Sequence, residues 1–278
     1  MLKVLAGIVT YNPDLKLLKN EILCLKQLDI PVVIIDNHSQ NIKCIDKMLN
    51  DIAENMFFLI KNPSNFGIAY AHNQILQYAE HNEYEWAITF DQDSRIPLNI
   101  FDEYEKFTHE DNVAILCPFV NYLTNQDKSI NKIPNNKYMN KDWAIASASM
   151  IKVSAWKKVS GFDEKMFIDL VDRDFCIRIR GFGYHIIQIN SVILEHHLGD
   201  MTEIKLFGKT FFIENHSAIR KYYKARNFMY LYNKKELNFF YAICHVGQLL
   251  FETIIFEKDK GQKCKKILYG FYDGINMK

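Results

Sequence analysis

The chain has 278 residues and a mass of 32.8 kDa, enough for one large domain or two modest ones with a substantial core. Apolar residues make up 49% and charged residues 24%, which excludes a disordered, collagen-like or coiled-coil chain. With 34 Lys and Arg against 33 Asp and Glu, the net charge of +1 gives no signal for nucleic acid, and none is expected as a partner. The first ten residues are apolar. They are too short for a signal peptide and run into Tyr11-Asn12-Pro13 without a small-residue cleavage site, so they read as a buried strand. Short runs rich in β-branched and aromatic residues at 4–9, 32–35, 56–60, 86–90 and 113–117 predict strands. Between the first two lies a helix over 14–28, with Leu15, Leu18, Ile22 and Leu25 on one face and Asp14 as its cap. Further helices are expected over 68–81 and from about 98.

Residues 121–141, rich in Asn, Lys and Asp, read as a surface loop. A second αβ block follows: a strand over 145–153, a helix over 154–159, a helix over 172–181 ending at Gly181, and strand character over 184–189 and 191–196. From 215 the chain turns basic and aromatic. Strands alternating with helices imply βαβ units, hence an α/β fold with a mostly parallel central sheet flanked by helices. The expected organisation is a catalytic domain over 1–214, with a nucleotide-binding half (1–120) and an acceptor half (142–214), then a helical extension over 215–278. Six scattered cysteines without a CxxC pair give no zinc site and no disulfide framework, which fits the reducing cytoplasm.

Ligands of open α/β sheets collect at the carboxyl ends of strands. Here those ends carry Thr10-Tyr11-Asn12, Asp36-Asn37-His38-Ser39, Asn65-Phe66-Gly67 and Asp91-Gln92-Asp93-Ser94. Four polar ends on one sheet edge make a site. Two carboxylates one residue apart suit a hard divalent cation, Mn2+ or Mg2+, which also holds phosphate oxygens; alone, such a turn is often only solvated. Asp169 and Asp172 sit among Phe167, Ile168, Leu170 and Val171, an apolar setting in which a carboxylate is costly or useful, for example as a general base. For Asp174 the pull of a helix N-terminus suffices. His196 and His197 follow a β-rich run, where one of them completes a metal site or both are structural. Arg220, Tyr222, Tyr223 and Arg226 recur at helical spacing, as a diphosphate clamp or as a solvated basic face.

Taken in order, 9–12, 35–39, 62–67 with 71–73, 90–94, 148–150, 161–163, 167–178, 195–199 and 220–227 resemble the family 2 glycosyltransferases of the GT-A fold, in the bacterial rhamnosyltransferase-like branch. The resemblance covers residues 3 to about 230. It implies an inverting, metal-dependent transfer from a nucleotide-diphospho-sugar donor, in this branch dTDP-L-rhamnose, to a glycan or lipid-linked glycan hydroxyl. Thr10, Tyr11, Asn12 and Asp36 would hold the nucleoside, with Asn65 and Asn73 beside that pocket. Asp91 would face ribose and metal, Asp93 would ligate the metal, and His196 would complete it, with His197 as second choice. Asp172 stands at the family's catalytic base, with Val171 in place of the commoner acidic neighbour, and Arg226 would face the diphosphate. Arg220, Tyr222, Tyr223 and Asp169 remain candidates for diphosphate or acceptor contacts.

Other readings predict other signatures. A UDP-hexose transferase would use the same scaffold. A sugar nucleotidyltransferase should carry a Gly-rich stretch where Thr10-Tyr11-Asn12-Pro13 stands. A non-catalytic sugar-binding module has no need of Asp91, Asp93, Asp172 and His196 together. Residues 215–278 hold 12 Lys and Arg against 5 Asp and Glu, a net +7 that leaves the rest at −6. The apolar stretch 237–256 contains Glu252 and is followed by Lys258, Lys260, Lys263, Lys265 and Lys266. It reads either as a helix lying on the inner face of the cytoplasmic membrane or as an ordinary core or homodimer helix.

Overall fold

A computed structural model describes residues 3–52, 56–123, 129, 131–197, 201–206 and 209–277, with only the backbone for 196, 197, 201–206 and 209–214. The chain opens β1 (Val4–Thr10), α1 (Leu15–Gln27), β2 (Val32–Asp36), α2 (Ile42–Ile52), β3 (Phe57–Lys61), α3 (Ile68–His81) and β4 (Trp86–Asp91). These strands pair in parallel in the order β3-β2-β1-β4. Every residue of β1 and β2 is buried because both faces are covered. Leu5 and Val9 pack on the α3 side with Ala71 and Ile75, while Val4, Ala6 and Ile8 pack on the α1 side with Leu18, Ile22 and Leu25. Asp14 caps α1 as expected, accepting from the Lys16 and Leu17 amides at 2.8 and 3.2 Å. Gly7 lets α3 close on β1, since a Cβ there would enter the Ile75 side chain.

Beyond β4 come α4 (Ile100–Glu105), β5 (Val113–Leu123), β6 (Tyr138–Asn140), β7 (Ser149–Lys152), α5 (Val153–Lys158), α6 (Val171–Gly181) and β8 (His185–His197). They extend the sheet as β4-β7-β5-β8-β6, in which β5–β8 is parallel and β7 and β6 run antiparallel to their neighbours. Two expectations need correction. The loop expected over 121–141 includes the end of β5 and strand β6, which adds main-chain bonds to the edge of β8. The strand expected over 145–153 is only β7, with Val153 already opening α5. Neither α2 nor the hairpin β9 (Met201–Leu206) and β10 (Lys209–Glu214) was anticipated.

Three helices finish the chain: α7 (Ala218–Asn233), α8 (Phe239–Phe256) and α9 (Lys260–Asn276). They bury Ala225, Phe228, Met229, Ala242, Val246, Leu249 and Ile267 between them. Gly270 and Gly274, one helical turn apart, bring α9 onto the α7 backbone; a Cβ at either would collide with the carbonyl of Tyr222 or Arg226.

Candidate active site

The carboxyl ends of β1, β2 and β4 open onto a cleft of about 880 Å³, within the range of small-ligand sites. Its far wall is the segment from Phe167 to Asp172, and its rim is Asn215, His216, Ser217 and Arg220 from the start of α7. The segment from 215 onward therefore contributes to the site itself.

Among the residues proposed from sequence, Tyr11, Asn65, Asp91, Asp93, Asp169, Asp172 and Arg220 line this cleft. Asp91 ends β4, paired in register with Val9 of β1, and Asp93 lies exposed in the turn that follows. Tyr11 is half exposed, its amide donating to Gln92 Oε1 at 2.8 Å, which ties the first and fourth strand ends together. Asn65 accepts from the Gly67 amide at 3.0 Å and shapes the approach to α3. Gly67, at φ +90°, cannot become alanine without a clash at Phe167; the Ile68 amide donates to Phe167 O at 2.8 Å, so this loop is stitched to the opposite wall.

Asp172 opens α6 after two consecutive left-handed residues, Asp169 (φ +66°) and Leu170 (φ +62°). Such a turn is strained and needs surrounding support. Asn227 supplies it, donating from Nδ2 to the carbonyls of Ile168 and Asp169 at 2.9 and 2.7 Å from a fully buried position. The turn aims Asp172 into the cleft among apolar groups. Burial first, then the field of Asp91, pushes its pKa up to about 7, although the Ala146 amide hydrogen-bonds it. A carboxyl poised near neutrality takes up a proton readily.

Several expected site residues point elsewhere. Asn73 is buried against the turn after α5: its Oδ1 accepts from Trp156 Nε1 and the Phe162 amide, and its Nδ2 donates to Phe162 O and Glu164. It organises that turn instead of a ligand pocket. Thr10 donates to Asp36 at 3.0 Å, and the Ser39 amide donates to the other carboxylate oxygen, so this buried pair holds the β2 loop. Asn12, at φ +50°, donates its amide to Ser39 and accepts from the Gln40 amide. Arg226 donates to Lys165 O at 2.7 Å and to Asn227, and its guanidinium stacks 4.7 Å over Tyr223. Tyr222 donates to Asp273, and Tyr223 stacks on Phe167 behind the cleft wall. The His196 and His197 backbones lie in β8 opposite Tyr122 and Leu123 of β5, and their side chains fall outside the described residues.

The cleft also contains residues not singled out from sequence. Asn37 bridges the loops, accepting from Asn62 and donating to Gly67 O, both at 3.0 Å. His72 is buried against Phe162, and burial pulls its pKa down to about 4. Both had a signal: Asn37 stands beside Asp36 after an apolar strand, and His72 lies within the 71–73 stretch that carries the family resemblance.

Among the described residues no three His, Cys, Asp or Glu side chains gather as a metal cage. Asp91 and Asp93 nevertheless fit a hard divalent cation, which needs only one or two protein carboxylates when phosphate oxygens and water complete its shell. The Asp91 field raises Asp172, and the fields of both aspartates raise the buried Glu21 beneath them; a cation would offset that accumulated negative charge.

A parallel βαβαβ half ending in paired aspartates, facing a carboxyl at a helix start, defines a glycosyltransferase that uses a nucleotide-sugar donor. The chain belongs to family 2 of these enzymes, in the rhamnosyltransferase-like branch: it is 32% identical over 291 aligned positions to the dTDP-rhamnosyl transferase RfbF of Shigella flexneri, covering 98% of this chain and 95% of that protein. No family model matches it. Solved structures share the GT-A fold. The mannosyltransferase PcManGT of Pyrobaculum calidifontis, in complex with GDP-Man and Mn2+, aligns with a TM-score of 0.61 and 11% identity, over 99% of this chain and 76% of that one. S. aureus TarS, in complex with UDP-GlcNAc, aligns at 0.59 and 14% over 99% and 82%. GalNAc-T7 with UDP, GalNAc and Mn2+ aligns at 0.64 and 12% over 84% and 48%, so this chain spans about half its length.

Proposed function

We propose that the enzyme transfers L-rhamnose from dTDP-L-rhamnose to a hydroxyl of a bacterial surface-glycan acceptor, free or lipid-linked, with inversion at the anomeric carbon. The observation that carries the mechanism is Asp172: a carboxyl held near neutrality on the wall of the cleft that Asp91 and Asp93 also line. Asp172 takes the proton of the acceptor hydroxyl as that oxygen bonds to the anomeric carbon, and the bond to the nucleoside diphosphate breaks with its electron pair leaving on phosphate. Asp91 and Asp93 would hold Mn2+ or Mg2+, which when bound would supply positive charge to the departing diphosphate. Arg220, the cation on the cleft rim, takes the diphosphate role first expected of Arg226. The relative from Shigella flexneri supports rhamnose and thymidine over a UDP-hexose. The experiment is a donor panel with manganese, read first by thermal shift and then by product NMR. A donor that binds only native protein must raise the melting temperature. dTDP-rhamnose should give the largest shift and an inverted product; stabilisation by UDP-hexoses alone, or retained configuration, refutes the reading.

A further inference from the structure

We propose that the outer face of α8, with the lysines at its carboxyl end, is a docking surface for an anionic lipid bilayer, on which the helix lies in the interface without crossing it. The inference stands on this surface and not on the identity of the donor. The helix has a mean hydropathy of 1.6 over 18 residues and a single charged side chain, Glu252. Only Ala242, Val246, Leu249 and Thr253 are buried, all on the side facing α7 and α9. The opposite stripe, from Phe240 through Phe251 to Ile254 and Ile255, is exposed, with Phe240 at 76%. At helical spacing the exposed Cys244, Gly247 and Gln248 lie between them, so the apolar side chains gather at the two ends of this face. A soluble helix ordinarily turns mostly polar residues outward there; this one turns two phenylalanines and two isoleucines outward, with Gln248 as the polar exception.

The surroundings select the occupant. Lys258 and Lys260 follow the helix and Lys265 stands on α9, all exposed, beside exposed Leu268, Tyr269 and Tyr272. An apolar stripe bordered by lysines and tyrosines matches acyl chains beneath anionic headgroups. A second copy matches poorly, because a two-fold contact would set this net-basic segment against itself. Spanning is disfavoured as well, since it would strip Ala242, Val246 and Leu249 from their cluster and pull Glu257 from its buried partners Lys221 and Lys263. That ion cluster adds a consequence. Lys263 also donates to Asn215 on the cleft rim at 2.6 Å, so the docking helix and the cleft mouth share one buried anchor. Docking would thereby fix which way the cleft faces relative to the bilayer.

The test is cosedimentation of the full chain with phosphatidylcholine vesicles, with and without phosphatidylglycerol. The wild type should pellet only with the anionic vesicles and be released by salt. Lys258→Ala, Lys260→Ala and Lys265→Ala together should lower the partition coefficient roughly 100-fold. Phe240→Glu with Phe251→Glu should abolish pelleting while the melting temperature and the manganese-dependent response to donor stay at wild-type values. Absence of pelleting, or equal pelleting of wild type and variants, overturns the proposal. So does light scattering that finds a dimer which the phenylalanine variant splits, because a second copy would then cover the face.

Discussion

Arg220 reaches from the start of α7 to Asp169, with Nε 3.2 and 3.3 Å from the two carboxylate oxygens and Nη2 3.2 Å from the first. Both residues line the cleft, so a cation suited to a diphosphate is parked on a carboxylate at the same site. The guanidinium is substantially exposed, and such a pair adds little stability. Arg220→Ala should lower kcat/KM by roughly 100-fold with the melting temperature within about 4 °C of wild type. Arg220→Lys should recover only part, lacking the fork. Unchanged steady-state kinetics would reduce the arginine to a surface partner of Asp169.

Asp172 ties activity to pH. Its folded pKa of about 7 lies above the ordinary 3.8, so the folded state holds this proton more tightly than the unfolded one. Stability contributed by the protonated carboxyl is thus lost as pH climbs from about 4 to about 7 and is level above. Asp172→Asn never ionises. It should match wild type below pH 4 and melt roughly 2–6 °C higher at pH 8, while losing transfer and keeping donor binding. The wild-type kcat/KM should rise with pH through a limb at or below about 7, since a cation on Asp91 and Asp93 would relieve the repulsion that helps raise it. A pH-independent profile, or an asparagine variant less stable at pH 8, contradicts this.

Asp174 is fully buried and accepts from Arg178 at 2.6 and 2.9 Å and from Lys234, which also bonds Asp163 at 3.1 Å. Helix polarity, the first explanation for this acid, is the smaller part of its role, since the network pins α6 to the end of α7. Asp174→Ala leaves Arg178 with the Val159 carbonyl and Lys234 with Asp163 and Glu236, removes the carboxylate that joins the two cations, and should cost about 3 kcal/mol, a fall of roughly 6–12 °C by calorimetry. A change under 2 °C would mean that the network is replaceable by water.

Glu21 lies on the buried face of α1 between Leu18 and Ile22, and neither carboxyl oxygen has a hydrogen-bond partner among the described residues. Burial, then Asp91 and Asp93, pushes its pKa well up. An unmatched buried polar group costs about 1–3 kcal/mol. Glu21→Met, of similar shape, should raise the melting temperature at pH 7 by roughly 2–8 °C. A lower value would mean the carboxyl is hydrogen-bonded in solution.

What was legible in advance was whatever depends on local periodicity: the α1 stripe with its Asp14 cap, the span of α3, and the acidic turn after an apolar strand. The α/β class followed from that alternation. Side-chain direction was not legible. Asn73 lies one residue from His72, yet its partners stand 83 to 91 positions away, and no local pattern encodes them. The same holds for Asp36, whose carboxylate is taken by Thr10 from a neighbouring strand. Arg220 and Arg226 are six residues apart on one helix, a rotation of roughly 120° between their side chains, and Lys165 and Tyr223 hold the second away from the cleft. Helix α2 obeys the same local rule: Ile42, Ile45, Met48, Leu49 and Ile52 recur at helical spacing and all pack on the core, so its periodicity was legible too.

Gly270 and Gly274 bear on how this enzyme can be handled. Because α9 rests on the main chain of α7 at Tyr222 and Arg226, and α7 carries Arg220 and Asn227, the last helix is a shim that sets how far the cleft rim extends. A larger residue at either glycine would lever Asn227 off the turn that aims Asp172. Shortening the chain after 235 would remove α8 and α9 together, uncovering Ala225, Phe228 and Met229. Engineering aimed only at the tail would therefore be read out as a defect in chemistry at Asp172, more than sixty residues upstream.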